Sequence, residues 1–302
     1  MDVLITGVNG FLGRNIATIL SGSGHKVIGI DIAKTSKSED VDQYHSASIL
    51  DQHFLTNIVK EVDVIIHLAA ITAHSEIVDN SYETLEINLD GTKSVLNAFK
   101  ASKKAKKFIY ASTGKVYGKI KELPLSEESV TDPLNILGKS KLIAERLIDF
   151  YSDDEKSYVI FRIFQAYGAG QIDHFLIPTI IKQLDFEKRD SQTITLGDIS
   201  AQRDYIYIED IANAFSLAIS SEIENGMQIY NLSTGVPMSA QDIVHSLEAL
   251  FSLKVNISTD EKLLRTDEES IEYGSYSKAE SILGWKPKVS IKEGLIMTVK
   301  EP

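Results

Sequence analysis

The chain has no cysteine, which excludes disulfides, thiolate metal sites and cysteine nucleophiles and fits a reducing compartment. It has no excess of positive charge either. Asp and Glu number 43 against 31 Lys and Arg, leaving a formal charge of -12 and a pI near 5.1. That balance opposes non-specific attraction to phosphate backbones. The dense basic cluster "KKAKK" at 103–107 follows a helical pattern and precedes an apolar strand, the setting of a solvated turn rather than of a nucleic-acid patch. No apolar run approaches the roughly 18 residues that crossing a bilayer requires. The first strand begins at Asp2, leaving no room for a signal peptide, so a soluble, cytoplasmic protein with no membrane partner is expected. The 7 histidines lack HExxH spacing, and no metal site is expected. There is no internal repeat and no low-complexity linker.

What is present is the material of one large α/β core, or a core plus a smaller lobe: 302 residues, 43% of them hydrophobic. "DVLIT", "HKVIGID", "VDVIIHLA", "KFIYAS" and "SYVIFRIF" read as strands, with helix-period segments between most of them. This is the pattern of βαβ units and a parallel sheet covered on both faces, hence a doubly wound α/β fold. Past residue 170 the pattern loosens into a helix near 174–188, strands at "TITL" and "DYIYI", a helix from Asp210 to Ile219 and mixed elements. Residues 1–170, with 203–235 returning to them, are expected to form one lobe, and 171–302 mainly a second, with a cleft between.

"MDVLITGVNGFLGRNIATIL" places Gly7, Gly10 and Gly13 directly after a strand and at the opening of a helix. Glycines there permit a tight turn, close approach of a diphosphate to bare backbone, and helix-on-strand packing, while the exposed N–H groups and the helix dipole favour negative charge. The second strand ends in Asp31, 18 residues after Gly13, where a carboxylate can accept hydrogen bonds from an adenosine ribose and disfavours a 2'-phosphate. NAD is therefore expected over NADP. The alternative is that the glycines only build a turn and Asp31 only ends a strand. "GKS" at 138–140 is not a triphosphate loop, because Pro133 stands where that motif needs glycine.

Beyond these, "TGVNGFLG" at 6–13, "HLAA" at 67–70, "INLDGT" at 87–92, "STGKVYG" at 112–118, "LGKSK" at 137–141, "FRIFQAYGAGQ" at 161–171, "RDYIYIEDIA" at 203–212, "YNLSTG" at 230–235 and "LGWKPK" at 283–288 run in order along the chain. Together they resemble the extended short-chain dehydrogenase/reductase family, the NAD-dependent nucleotide-sugar epimerases and dehydratases. The resemblance implies a Rossmann-type doubly wound sheet with a smaller C-terminal α/β substrate lobe. It implies that Gly7, Gly10, Phe11, Leu12 and Gly13 cradle the pyrophosphate of NAD, that Asp31 and Ile32 hold the adenosine ribose, and that Leu68, Ala69 and Ala70 line the cofactor. Asn88 would be structural. Thr113 falls beside the sugar C4 oxygen and Lys141 on the nicotinamide ribose, while Gln165, Arg203 and Arg265 match contacts to the nucleotide-diphosphate sugar. Arginine's fixed fork suits phosphate oxygens. Simpler readings stand beside these: Thr113 as a strand cap, Lys141 as an exposed helix cation, Arg203 as an ion-pair partner of Asp204 or Asp210.

The pattern breaks at Leu137, where the family carries tyrosine on the same helical face as Lys141. In relatives that phenol moves the proton of the sugar hydroxyl; a leucine cannot, and losing a placed acid-base group costs about 10² to 10⁴ in rate. Thr113 can orient a hydroxyl but not deprotonate it. His74, Tyr117 and Tyr167 are the candidate substitutes, with structural roles favoured for the two tyrosines. Ser48 replaces the aspartate that relatives set against the adenine amine, leaving Ile49 to pack on the ring. Gly114 and Lys115 replace the Asp-Glu pair of the 4,6-dehydratases, which argues against water elimination. Three readings follow: an epimerase-like enzyme acting at C4 with altered catalysis, a binding protein with both pockets but no efficient hydride chemistry, or a leucine introduced into an otherwise ordinary epimerase. The stripe Leu142, Ile143, Leu147, Ile148 and Tyr151 on the helix after Lys141 exceeds what one sheet face must cover and is either core or interface. The resemblance implies that this helix and the one near 81–100 pair with their copies in a homodimer.

Overall fold

The computed structural model describes residues 1–72, 77, 80–264 and 269–300. Strands β1 (Asp2–Thr6), β2 (Lys26–Asp31), β3 (Gln43–Ser46), β4 (Val64–His67), β5 (Lys107–Thr113), β6 (Ser157–Ile163) and β10 (Gly226–Leu232) form a seven-stranded sheet in the order β10-β6-β5-β4-β1-β2-β3. Every pairing in it is parallel. The chain reverses its direction of travel across the sheet between β1 and β4, and a crevice opens outside the carboxyl ends of strands at such a point.

The strands are apolar at consecutive positions because both faces are covered. Val3 and Ile5 of β1 join Ile66, Ile109 and Phe161 under helix α1 (Phe11–Gly22). Leu4 joins Ile28, Ile65 and Phe108 on the opposite face, under α2 (Gln52–Ile58) and helices further along the chain. Those are α3 (Ser81–Leu85), a π-helical turn (Glu86–Gly91), α4 (Thr92–Ala101) and α5 (Ile136–Tyr151). Adjacent side chains of a strand point to opposite faces, so a strand buried on both reads as a continuous apolar run.

The remaining elements build a smaller lobe. β7 (Gln165–Tyr167), β9 (Gln202–Tyr207), β11 (Pro237–Ser239) and β13 (Ile271–Glu272) form a second sheet with β9 as its spine, and β8 (Gln192–Leu196) pairs with β12 (Val255–Thr259). Helices α6 (Leu176–Gln183), α8 (Ala240–Phe251) and α10 (Ile291–Lys300) bury Ile177, Ile180, Ile243, Leu247 and Leu295 against these strands. Between these elements α7 (Ile208–Ser220) returns to the large sheet, where Ile211, Phe215 and Ile219 pack with α1. So do Ala279 and Leu283 of α9 (Ser277–Leu283), and Trp285. The Trp285 indole donates to the Asp210 carbonyl at 2.8 Å, pinning the C-terminal segment onto α7. Among the described residues, no helix is long and apolar enough to cross a membrane, and no cluster of three or more His, Cys, Asp or Glu is placed to hold a metal ion.

Candidate active site

The first strand-to-helix turn is built by exclusion of side chains. Gly7 has φ +71°, and a Cβ there would lie 2.8 Å from the Ala69 backbone. A Cβ on Gly13 would meet the carbonyl oxygens of Gly7 and, at 2.6 Å, of Val8. Gly10 caps α1 without a side chain, and no acidic residue occupies the first turn. The leading amides of α1, from Phe11, Leu12 and Gly13, therefore have no acidic side chain beside them, and the positive end of the helix dipole faces the crevice. Asp31 sits at the end of β2 beside this turn. Its carboxylate accepts from the Asn9 amide at 3.1 Å and the Ala33 amide at 3.2 Å. Asn9 in turn donates to the Thr35 carbonyl and accepts from the Lys37 amide, so one residue not singled out by its motif ties the glycine turn to the loop after β2. Ile32 follows with its side chain 81% exposed. Ile49 is buried against Gly91, whose absent Cβ would stand 2.9 Å from Ile49 Cγ1. Ser48 Oγ accepts from the Leu50 amide.

A polar seam runs from this turn to the first turn of α5. The Leu68 and Ala69 amides donate to Thr6 Oγ1, each at 3.3 Å. Thr6 meets His67 Nδ1 at 2.7 Å, and His67 Nε2 meets Thr92 Oγ1 at 3.0 Å. Thr92 spends its proton on the Asn88 carbonyl at 2.7 Å, so these partners assign the imidazole proton to Nε2 and make Nδ1 the acceptor. Burial of the neutral ring, helped by the Lys141 charge, pushes His67 down to about 3. Asn88 brackets Ile71 through its amide and carbonyl and donates to Ser140 Oγ at 3.2 Å. Ser140 donates to the Leu137 carbonyl at 2.9 Å. Asn88 sits in the π-helical turn, where the extra residue per turn aims it out of the regular helical face.

Lys141, one turn after Leu137, is 4% exposed. Its Nζ donates to the Ala111 carbonyl at 2.8 Å, two residues before Thr113, and lies 4.6 Å above the Tyr110 ring. Desolvation pulls it down to about 7, against the opposing charge of Glu145. Glu145 is held in a buried bidentate pair with Arg162, from Nε at 3.1 Å and Nη2 at 2.7 Å, and accepts from Ser112. Lys141 is thus no exposed helix cation. Thr113 ends β5 and accepts from the Lys115 amide at 3.3 Å, which is the capping geometry of the simpler reading.

Gln165 and Arg203 lie on the small sheet. Gln165 stands opposite Tyr205, while Arg203 stands opposite Glu272 and Met238. Arg203 is 7% exposed and donates to the Gln202 carbonyl. The Asp204 carboxylate is filled by the Thr234 hydroxyl and the amides of Thr234, Gly235 and Gly274. The Asp210 carboxylate accepts from the Lys288 and Val289 amides. The structure therefore gathers Gly7 to Gly13, Asp31 and Leu68 to Ala70 at the ends of β1, β2 and β4, and Thr113 and Lys141 at the end of β5. Gln165 and Arg203 are carried by the second sheet. His74 and Arg265 lie outside the described residues.

Neither candidate tyrosine faces the crevice. Tyr117 is fully buried, donates to Asn231 Oδ1 at 2.6 Å, lies under the Arg162 guanidinium, and is pushed up to about 12 by desolvation. Tyr167 is 1% exposed, packs against Gly294, and is raised further by burial. Both side chains are structural. Nothing local in the sequence marks Thr6, His67, Ser140, Glu145 or Arg162 as members of one network. His67 stands inside a motif and Glu145 four residues beyond Lys141, but their partners are distant in sequence.

A glycine-lined helix terminus at the switch point, an acid at the end of the second strand and a buried lysine at the end of the fifth define an α/β protein of the dinucleotide-binding, short-chain dehydrogenase/reductase class. Residues 4–298 match the family described as GDP-mannose 4,6 dehydratase, and the chain belongs to that family within the extended short-chain dehydrogenases/reductases. It is 29% identical over 299 residues to the GDP-6-deoxy-D-mannose reductase of Pseudomonas aeruginosa, covering 97% of this chain and 94% of that one. Among solved structures it is similar to the UDP-glucose 4-epimerase of Thermotoga maritima with UDP-glucose, at a TM-score of 0.89 and 25% identity over 100% of this chain and 98% of the other. It is also similar to the UDP-glucuronic acid 4-epimerase of Bacillus cereus in complex with UDP-glucuronic acid and NAD. That match has a TM-score of 0.87 and 27% identity over 100% of this chain and 98% of the other.

Proposed function

We propose that the chain is an NAD-dependent nucleotide-sugar oxidoreductase of the epimerase type that changes the oxidation state of a sugar carbon, C4, with the usual tyrosine replaced by Leu137. The observation that carries this reading is the glycine cradle, which any Cβ would fill, set at the same crevice as Asp31 and Lys141. The relatives' bound NAD and UDP-sugars support it.

In this reading residues 1–170 apart from β7, with α7 and β10 from 203–235, form the nucleotide-binding lobe, and 171–302 mainly the substrate lobe, apart from α9 and Trp285, which pack on the large sheet. The amides of Phe11, Leu12 and Gly13 hold the diphosphate, while Gly7 and Gly10, whose amide donates to the Gly7 carbonyl at 3.0 Å, keep the turn tight and open. Asp31 accepts from the adenosine ribose beside Ile32, and Ile49, Leu68, Ala69 and Ala70 line the adenine and nicotinamide ends. NAD, when bound, supplies the hydride acceptor and donor. Lys141 exchanges its Ala111 carbonyl partner for a ribose hydroxyl, Thr113 orients the sugar hydroxyl, and Gln165, Arg203 and Arg265 meet the nucleotide diphosphate. With Gly114 and Lys115 where a dehydratase needs two carboxylates, elimination of water is not part of the reaction. Of the stripe on α5, Ile148 is core and Leu142, Leu147 and Tyr151 pack against core clusters, so a homodimer is supported instead by the apolar side chains left bare on α3 and α5, Tyr82 at 87%, Ile143 at 47% and Phe150 at 84% exposure. Sedimentation of Phe150→Glu against the parent chain tests it. The lack of cysteine fits the cytoplasm.

The test is incubation with NAD and a panel of UDP-, GDP- and dTDP-sugars, following the reduced nicotinamide absorbance and the sugar products. Turnover is expected, and His74→Ala reports whether His74 takes part. Leu137 favours a second reading, binding without turnover. Saturable binding of both ligands with no product, and product formation only after Leu137→Tyr, would select it.

A further inference from the structure

Leu137 has no proton to move, so a site that interconverts a sugar alcohol and ketone needs another group to serve the reacting oxygen. The 3-10 turn Gly114–Val116 follows Thr113 directly and carries one cation, Lys115. The Lys115 amide donates to Thr113 Oγ1. The Lys115 carbonyl group abuts the first turn of α5, where a Cβ on Gly138, the neighbour of Leu137, would stand 3.0 Å from its carbon. The main chain of Lys115 is thus adjacent both to the Thr113 hydroxyl and to the helical turn that carries Leu137.

Its side chain is drawn inward. Nζ pairs with Glu272 Oε2 at 3.0 Å, with the two side chains 16% and 11% exposed. Glu272 belongs to β13, opposite Arg203, so the pair crosses from the carboxyl end of the large sheet to the small one. The second carboxylate oxygen, Oε1, lies 3.3 Å from where a Cβ on Gly114 would be, and a side chain there would crowd it. A pair this withdrawn from water contributes little net stability, because desolvating two charges offsets most of their attraction. It does fix an ammonium in place between the turn that follows β5 and strand β13.

We propose that Lys115 is the catalytic residue that exchanges a proton with the sugar oxygen, and that Glu272 is its positioning residue. The proposal rests on the redox reading above and deepens it. In reduction, one Nζ–H bond breaks and an O–H bond forms on the former carbonyl oxygen, while its carbon gains the hydride which that reading assigns to the dinucleotide. The neutral amine then recovers a proton from water. Oxidation reverses each change. An ammonium offers three N–H donors and no acceptor, so the substrate class best served is a nucleotide-diphosphate ketosugar undergoing reduction.

Lys115→Arg keeps a cation for Glu272 but does not release its proton, and Lys115→Met removes both functions. With a nucleotide-4-ketosugar and NADH, each is expected to lower turnover by about 10² to 10⁴, with calorimetric affinity for the nucleotide sugar changed less than about tenfold. Leu137→Tyr placed in the Lys115→Met chain is expected to restore turnover. A second readout does not depend on turnover. In protein labelled with 13C at lysine Cε, the resonance missing from Lys115→Met is expected to move on adding UDP-glucose or GDP-mannose, and not on adding UDP or GDP alone. Wild-type turnover in Lys115→Arg overturns the proposal, as does a Lys115 resonance that responds equally to nucleotide and nucleotide sugar. If the parent chain shows no redox turnover the redox reading fails, and the resonance still decides whether the ammonium meets the sugar.

Discussion

His67 links the fold's stability to acid in a way that can be measured. Its ring is fully buried between Thr6 and Thr92, and the folded protein holds it neutral down to about pH 3, whereas the unfolded chain protonates it near 6.5. Between those values the unfolded state carries the extra proton, so stability falls as pH falls through that window and is unaffected by this residue above it. At about 1.4 kcal/mol for each tenfold change in proton activity, the ceiling is about 5 kcal/mol at pH 3 and about 2 kcal/mol at pH 5. His67→Leu removes the titrating ring and leaves the two threonine hydroxyls short of a partner. It is expected to cost about 1 to 3 kcal/mol at pH 7.5 while flattening the acid slope. Urea unfolding at pH 7.5 and pH 5 measures both quantities, and the parent chain is expected to lose about 2 kcal/mol more than the variant. His25 is also depressed by burial, but it titrates in both chains and cancels in the comparison. Equal slopes would show that His67 does not hold its neutral form and would break the seam assigned between the glycine turn and α5.

Glu145→Gln leaves the Arg162 guanidinium buried without its carboxylate. A loss of about 3 to 5 kcal/mol in urea unfolding is expected, and an unchanged midpoint would contradict the pairing. Gly13→Ala places a methyl group against two carbonyl oxygens and is expected to weaken NAD binding more than tenfold. Gly22→Ala, with nothing within 4 Å, is expected to leave it unchanged, and calorimetry distinguishes them. Lys141 is held down to about 7 in the fold against 10.5 when unfolded. The unfolded chain therefore binds the extra proton between those values, and stability of the cofactor-free protein rises with pH across them. Lys107 and Lys156 are also lowered by burial but titrate in both chains and cancel in the comparison. Lys141→Met is therefore expected to reduce that rise, and an equal rise in the two chains would assign it to other groups.

The parallel strands were readable because each is buried on both faces and so appears as an unbroken apolar run. The turn at Gly7 to Gly13 was readable because a positive φ and two backbone approaches leave glycine little competition. The return of Ala279, Leu283 and Trp285 to the large sheet was not visible, since nothing local in "SILGWKPK" distinguishes packing on α7 from packing on its own lobe. Leu137 was conspicuous as a departure, yet the sequence alone could not bring Lys115 beside it: Glu272 lies 157 residues away from Lys115, and pairing at that separation is set by topology. Tyr117 and Tyr167 carry the same phenol as the missing residue, and only their burial shows that neither can serve.

The main-chain amides of the first crossover are expected to grip a dinucleotide diphosphate beside Asp31. Titration of the protein with NAD and with NADP in a calorimeter tests it directly. A saturable heat for NAD, with weaker binding of NADP because the Asp31 carboxylate repels a 2'-phosphate, is the predicted result. No saturable heat for NAD, or tighter binding of NADP, would contradict it.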